Sequence, residues 1–298
     1  MIASTAKNER VLFRNLDDEI LLDCHLLGKP TAEQLMRLHQ DHVTTIQQMR
    51  STMRRLSTGP DRLLSRLKPF DIETPIRALP YVYLDTRLSR RHLEQVFGVP
   101  YRRVPPVPSR DWRFLRHDVE MVDELITYQL TAKKYGIPFG YQPHFDADGL
   151  RVYPKVEIAW DNLTHTLRPE PDRTLIIGDY HVIHEKDLGQ ETIECGNIIR
   201  DATVGRKHLV YDALLRSGTL DHLGWNKKII VYSIDSLRGT QKASRKRVKR
   251  CLETIPEHVD HTKIFFTDRQ SFMSAGDDLA ELDFVRGDGR VMPLPCWS

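Results

Sequence analysis

The stretch Asp172-Arg-Thr-Leu-Ile-Ile-Gly-Asp-Tyr-His-Val-Ile-His-Glu-Lys-Asp187 decides how the second half of the chain is read. Thr174 to Ile177 is an apolar, β-branched run, Gly178-Asp179 is a two-residue turn signal, and Tyr180 to Lys186 returns as a second strand. A turn closing on Ile177 and Tyr180 sets the register, so that Ile176 faces His181 and Asp172 faces Glu185. Side chains alternate along a strand, which puts Asp172, Thr174, Ile176, His181, Ile183, Glu185 and Asp187 on one face. Two carboxylates directly across a ladder repel and weaken the sheet. The pair therefore requires an offset: solvent, a shared proton, a nearby cation or a divalent metal. Hard oxygen ligands in this arrangement suit Mg2+ or Mn2+, with Asp172 and Glu185 as the metal ligands. A metal so held activates a water and stabilises charge on a phosphodiester. Such a centre often needs a lysine. Lys186 falls on the wrong face, whereas Lys207 opens a helical segment, 207–215, able to fold back over the sheet. The alternative is a solvated hairpin end at which the two acids simply tolerate each other.

Around this hairpin the pattern is α/β. Residues 228–233 and 263–267 read as buried strands with a helix over 244–255 between them, the sequence of a right-handed parallel crossover. That helix carries Lys242, Arg245, Lys246, Arg247, Lys249 and Arg250, either a DNA-backbone contact or a solvated face. Upstream, a helix over 117–135 is closed by Gly136-Ile-Pro138. Strands over 140–144 and 151–158 follow, split by Asp146-Ala-Asp-Gly149. This tetrapeptide reads as a hairpin turn, because the remaining ligands of a calcium loop are missing.

The segment Val104-Pro-Pro-Val-Pro-Ser109 has three prolines in six residues and cannot continue a helix. It divides the chain into a first domain, 1–104, a linker, 105–110, and a second domain, 111–298. In the first domain, helical spacing of Leu16, Ile20, Leu21, Cys24 and Leu27 follows an N-cap at Asn15. Thr31-Ala-Glu-Gln34 is a capping box for a second short helix. A third helix spans 43–57, with Val43, Ile46, Met49, Met53 and Leu56 on one face and Thr44, Gln47, Ser51, Arg54 and Arg55 opposite. Strands over 63–67 and 79–84 complete the order of a winged helix-turn-helix. On that reading Gln47, Ser51 and Arg54 reach base edges or phosphates, with Thr44 on the same face. Arg50, Arg55, Arg62 and Lys68 meet phosphates. The alternative is a helical subdomain with a solvated face, a protein-docking winged helix included.

Composition bounds these readings. The 298 residues are 40% hydrophobic and 29% charged, which excludes wholesale disorder, collagen-like chains and disulfide scaffolds. Residues 1–108 hold 17 Lys or Arg against 12 Asp or Glu, and the remainder 27 against 29, so nucleic-acid contact is expected to be led by the basic front. No run approaches a membrane span, and Met1 to Arg14 resembles neither a signal nor a transit peptide. Four scattered cysteines without C-x-x-C suggest reduced thiols, and the expected location is cytoplasmic. There is no P-loop, dinucleotide fingerprint, zincin helix or nucleophile elbow.

From Leu16 to Gln270 the chain resembles the replication-relaxation family of plasmids and mobile elements. The resemblance is carried by Leu16-Asp-Asp-Glu-Ile-Leu-Leu, Thr31-Ala-Glu-Gln-Leu35, Met53-Arg-Arg-Leu56, Tyr81-Val-Tyr-Leu84, His117-Asp118-Val119, Trp160, Pro171-Asp172, Glu185-x-Asp187-x-Gly189, and Lys207 with Tyr211. It implies an N-terminal winged helix followed by a mixed-sheet, restriction-endonuclease-like domain of the PD-(D/E)-x-K type. It also implies a role in plasmid replication, relaxation or mobilisation. By position, Asp172 and Glu185 match the two acids of the nuclease-like motif, and Asp187 stands where the motif has lysine. If the centre is active as an Mg2+- or Mn2+-dependent endonuclease, Asp172 and Glu185 hold the metal, Asp187 assists, and Lys207 stabilises charge. The expected partners are double-stranded DNA and a relaxase or replication protein, with a homodimer left open. The competing readings are a non-catalytic transcription regulator, a relaxosome accessory protein, and a stand-alone restriction-type endonuclease.

Overall fold

The hairpin 172–187 forms as the sequence requires. In the computed structural model, β6 (Arg173–Ile177) and β7 (Tyr180–Asp187) pair antiparallel from Arg173 with His184 to Ile177 with Tyr180. Gly178 takes the first corner of the turn at φ 59°, a left-handed backbone that favours glycine. The structure describes residues 5–58, 62–69, 79–98, 112–142, 152–194, 203–218, 220–221, 227–236 and 238–297, without the side chains of 5–15 and 112–114.

The chain is mixed α/β and falls into two compact units, residues 1–126 and 127–298. The expected proline linker, 105–110, lies outside the described residues. The boundary in sequence falls within helix α5 (Trp112–Tyr135).

In the second unit β7 is an interior strand of a seven-stranded mixed sheet. β6 and β3 (Phe139–Tyr141) extend it antiparallel on one side. On the other side β8 (Lys227–Ile234) and β9 (Ile264–Asp268) run parallel to β7, and β10 (Phe284–Arg286) and β11 (Val291–Met292) close the edge antiparallel. Two crossover helices join the parallel strands: α6 (Val204–Arg216) between β7 and β8, and α7 (Gln241–Glu253) between β8 and β9. Their inner residues, among them Val204, Tyr211, Leu214, Val248 and Cys251, share one core with Ile183, Ile230, Tyr232, Ile234 and Phe266 of the sheet. Burial of each such aliphatic side chain stabilises the fold by about 1.5–3 kcal/mol. On the opposite face His184 Nδ1 lies 3.3 Å from the Tyr128 hydroxyl of α5, and Phe272 of α8 (Arg269–Ser274) packs edge-on against both rings. β7 is thus covered on both faces, and all eight of its residues but Tyr180 are buried.

A separate hairpin, β4 (Val156–Trp160) with β5 (Leu163–Leu167), turns at Asp161 and Asn162, both at positive φ. The second expected strand therefore starts at Val156 rather than at residue 151, because Val152 to Lys155 precede the ladder and Pro154 has no N–H to donate. The first ends at Tyr141 rather than 144 and pairs with β6, whereas the second pairs with β5, so the two do not form the expected hairpin; residues 146–149 themselves lie outside the described residues.

The first unit contains α1 (Thr5–Leu27), α2 (Ala32–Leu38), α3 (Ile46–Leu56), an antiparallel pair β1 (Leu64–Leu67) and β2 (Val82–Asp85), and α4 (Arg87–Phe97). Asn15 does not cap α1, which starts ten residues earlier at Thr5 and runs through it. Thr31 and Thr45 each close a capping box, with Gln34 and Gln48. Thr31 also bridges Val82, adding a third short strand position beside β2. Ile20, Leu21, Cys24, Leu27, Leu35, Met49, Met53, Leu64 and Val82 are almost fully buried. Cys24, Cys251 and Cys296 are free and buried; Cys195 lies outside the described residues. No described helix is long and apolar enough to cross a membrane.

Candidate functional site

Asp172 sits one step beyond the β6–β7 ladder, opposite Glu185, and backbone N–H groups tie both carboxylates to the hairpin. The Asp172 N–H donates to Glu185 Oε1 at 3.2 Å, and the Lys186 N–H donates to Asp172 Oδ2 at 2.9 Å. The repulsion expected between facing carboxylates is offset by a cation from α6. Lys207 Nζ lies 2.7 Å from Glu185 Oε2 and donates to Glu191 Oε1 at 2.8 Å. Helical spacing brings Tyr211, four residues on, to the same face of α6, and its hydroxyl donates to Glu185 Oε1. The Thr203 side chain caps α6, accepting from Arg206 N at 3.1 Å, and so fixes the turn that bears Lys207.

Burial governs the protonation of this cluster. Glu185 is 1% exposed, and burial pushes its carboxyl up to about 7, with Lys207 opposing and Asp172 adding to the rise. Burial alone would lower the Lys207 ammonium, but Glu185, Glu191 and Asp172 outweigh it and hold Lys207 protonated well above its ordinary range. Burial also raises Glu191, against the pull of Lys207. The Tyr211 hydroxyl is raised by burial and by Glu185, so it stays a donor. The arrangement thus holds a fixed cation beside a carboxyl able to take up or release a proton near neutrality.

Asp187 lies at the end of the same strand but has other partners. Arg247 Nε of α7 pairs with its Oδ2 at 2.5 Å, and Gly189 N donates to Oδ1 at 2.7 Å. Arg247 also donates to the Glu191 carbonyl, tying α7 to the loop that carries Glu191. Three participants were not among the residues expected to act here. Tyr211 could have been found from its i, i+4 spacing to Lys207. Arg247 was hidden within a basic run, and Glu191, on a loop, left no periodic signal.

The donor set fits Mg2+ or Mn2+ in kind, since Asp172, Glu185 and Glu191 offer only hard carboxylate oxygens. In number it falls short: among the described residues, no group of three or more His, Cys, Asp or Glu is arranged to hold a metal ion.

In the first unit Thr44, Gln47, Arg50, Ser51, Arg54 and Arg55 are all exposed on or beside α3, and Arg62 is exposed before β1. They are not equivalent. Arg55 pairs with Asp17 of α1 at 2.6 Å, and Arg50 pairs with Glu33 of α2 at 2.5 Å. Arg54 has no carboxylate partner among the described residues. A groove of about 340 Å3 is lined by Arg50, Arg54, Arg66, Lys68 and Tyr81, among others. Arg66 and Lys68 lie over the Tyr81 ring, 4.6 and 4.8 Å from its centre, and Tyr81 is 41% exposed. Arg66 and Tyr81 were missed as site residues, although alternation along β1 could have pointed to Arg66. In comparisons with protein-family models, curated proteins and solved structures, the chain matches none.

Proposed function

We propose that this is a double-stranded-DNA-binding protein of a plasmid or mobile element whose second unit carries a centre for phosphodiester hydrolysis. The observation that carries the reading is the meeting of Lys207 with Glu185 beside Asp172: an acid pair and a fixed cation, drawn from a hairpin and a crossover helix. Lys207 stabilises charge developing on a phosphoryl oxygen, and Glu185 holds or releases a proton near neutral pH. Asp172 and Glu185 are the residues that would hold Mg2+ or Mn2+, which when bound would activate water and stabilise anionic charge. Asp187, paired with Arg247, acts by holding the strand end in place. The first unit supplies the grip. Three helices followed by an antiparallel pair, with the Thr31–Val82 bridge, support a winged helix-turn-helix whose α3 enters the major groove. The mixed sheet with an acidic hairpin supports the nuclease-like reading of the second unit.

The test is nicking of supercoiled plasmid with Mg2+ or Mn2+ by the wild type, Asp172→Ala and Glu185→Ala. Nicking by the wild type that both substitutions abolish is the expected result. A second reading, an accessory or regulatory protein with a non-cutting centre, is favoured by one observation: Lys207 is already paired with Glu185 and Glu191 together. Wild-type protein that binds duplex but leaves plasmid intact under both metals decides for it.

A further inference from the structure

Helix α7 carries six basic residues and a single acid, Glu253, and its two sides have different partners. Ser244, Val248 and Cys251 are buried against the sheet, and Arg247 turns inward to Asp187 and the Glu191 carbonyl. Lys242, Arg245, Lys246, Lys249 and Arg250 are exposed on the outer side. Arg245 donates to the buried Asp268 at 3.2 Å, whereas Arg250 reaches Glu194 at 3.8 Å with both side chains more than half exposed, a pair that neutralises little. Lys242, Lys246 and Lys249 have no carboxylate partner among the described residues. Lys242 with Lys246, Lys246 with Arg250, and Arg245 with Lys249 are like charges at i, i+4, a spacing that destabilises a helix unless an anion lies against it.

We infer that the outer face of α7 is a second polyanion-docking surface, on which the phosphodiester backbone of duplex DNA lies while the acid–lysine centre is presented to it. The cations fall within one side of the helix, and from Lys242 to Arg250 it rises about 12 Å. That length follows about three phosphates at ~3.4 Å per nucleotide along one strand. Through Arg247 the same helix buttresses Asp187 and the Glu191 loop, so a backbone held on α7 has a fixed relation to Glu185 and Lys207. An anionic membrane fits less well. A helix that lies on lipid inserts an apolar side next to its cations, and the apolar side of α7 is already in the core. The inference rests on the DNA reading for the identity of the polyanion, but not on the first unit's being the grip.

The experiment is anisotropy of a fluorescent duplex with the full chain over a salt series, comparing Lys242→Gln/Lys246→Gln/Lys249→Gln, the matching Lys→Arg triple, and Arg54→Ala/Arg66→Ala in the first unit. The Gln triple should lower the slope of log K against log salt by about 2 to 3, at ~0.9 per lost phosphate contact, with affinity reduced at least tenfold at low salt. The Arg triple should restore both. An unchanged slope in the Gln triple, with a lowered slope in the first-unit variant, overturns the α7 surface and leaves the DNA reading standing. A lowered slope in the Gln triple alone supports α7 and counts against the first-unit grip. Wild-type protein that does not bind duplex overturns both. Loss of binding to phosphatidylserine vesicles without any change on DNA overturns the inference in favour of a membrane.

Discussion

Lys207 on α6 places its ammonium 2.7 Å from Oε2 of Glu185 on β7, joining a crossover helix to an interior strand of the sheet by one ion pair. Glu185 is 1% exposed there and the Lys207 side chain 18%. Desolvation is costly to both charges there: that of Glu185 is offset by Lys207, the Asp172 N–H and the Tyr211 hydroxyl, and that of Lys207 by Glu185 together with Glu191.

Removing the cation alone should therefore cost more than removing the pair. Lys207→Met is expected to destabilise the protein by about 3–5 kcal/mol, since it leaves Glu185 buried without its counter-charge. Lys207→Met combined with Glu185→Gln should cost less than the sum of the single changes, with a coupling of about 1–3 kcal/mol. Urea unfolding of the four proteins measures this directly. Additive costs would show that the two groups are independent despite their distance.

The same pair gives a pH dependence with a definite sign. The Glu185 carboxyl is raised in the folded protein to about 7 from an ordinary 4.5. The folded state therefore binds the proton more tightly than the unfolded chain. This group's contribution is full below pH 4.5 and is lost as pH rises towards 7, on the order of 3 kcal/mol over that window. The stability of wild type relative to Glu185→Gln should decline across the window. A relative stability that is flat or rises would place the folded carboxyl at or below its ordinary range.

How much of this was legible in the sequence depends on whether local pattern or tertiary packing fixed each feature. The 172–187 register was legible, because a Gly-Asp turn between two β-branched runs permits one pairing. So were the parallel crossover through α7 and the α2 capping box, whereas the parallel pairing of β7 with β8 around α6 was not. The β4–β5 hairpin went half unread, although Asp161-Asn162 is a type I′ signal, because Leu163-Thr-His-Thr-Leu167 is too polar to look like a strand. Helix α4 has a local signal that the sequence reading lacks, the capping box of Thr86 with Ser89. Convergence of Lys207 on Glu185 is not legible in the sequence, since the approach of a helix to a strand is set by Val204, Leu209 and Leu214 packing on the sheet. Which arginine of α3 is free was not legible at all, because Asp17 and Glu33 come from other helices.

Asp85 shows what the unread helix does. Its carboxylate is 2.8 Å from His25 Nδ1 of α1 and 2.5 Å from Arg90 Nε of α4. Burial alone would raise this carboxyl, but His25 and Arg90 together hold it below its ordinary range. A depressed carboxyl adds stability above its ordinary value of 3.8, and that contribution disappears as pH falls through the lower folded value. Asp85→Ala should destabilise the first unit by about 2–4 kcal/mol at neutral pH, leaving Arg90 buried without its acid. The deficit should shrink in acid. Thermal unfolding at pH 7 and below pH 3.5 measures both, and an equal deficit at the two pH values would rule out an ionic role for Asp85.

The neighbouring arginines Arg54 and Arg55 should behave oppositely. Arg55 pairs with Asp17 at 2.6 Å and braces α3 against α1, whereas Arg54 opens into the groove with Arg66, Lys68 and Tyr81. If α3 docks on DNA, Arg54→Ala should weaken duplex binding across all sequences and lower the salt slope by about 0.9 for one lost phosphate contact. Arg55→Ala should leave that slope near wild type and instead lower stability slightly, by up to about 1 kcal/mol, as an exposed pair allows. Tyr81→Ala removes the ring beneath Arg66 and Lys68, so it should reduce affinity by freeing both cations from their shared orientation. Salt-series titration of the three variants separates these effects. A slope lowered by Arg55→Ala but not by Arg54→Ala would mean that the Asp17 pair opens when DNA binds and that the groove is not where the backbone lies.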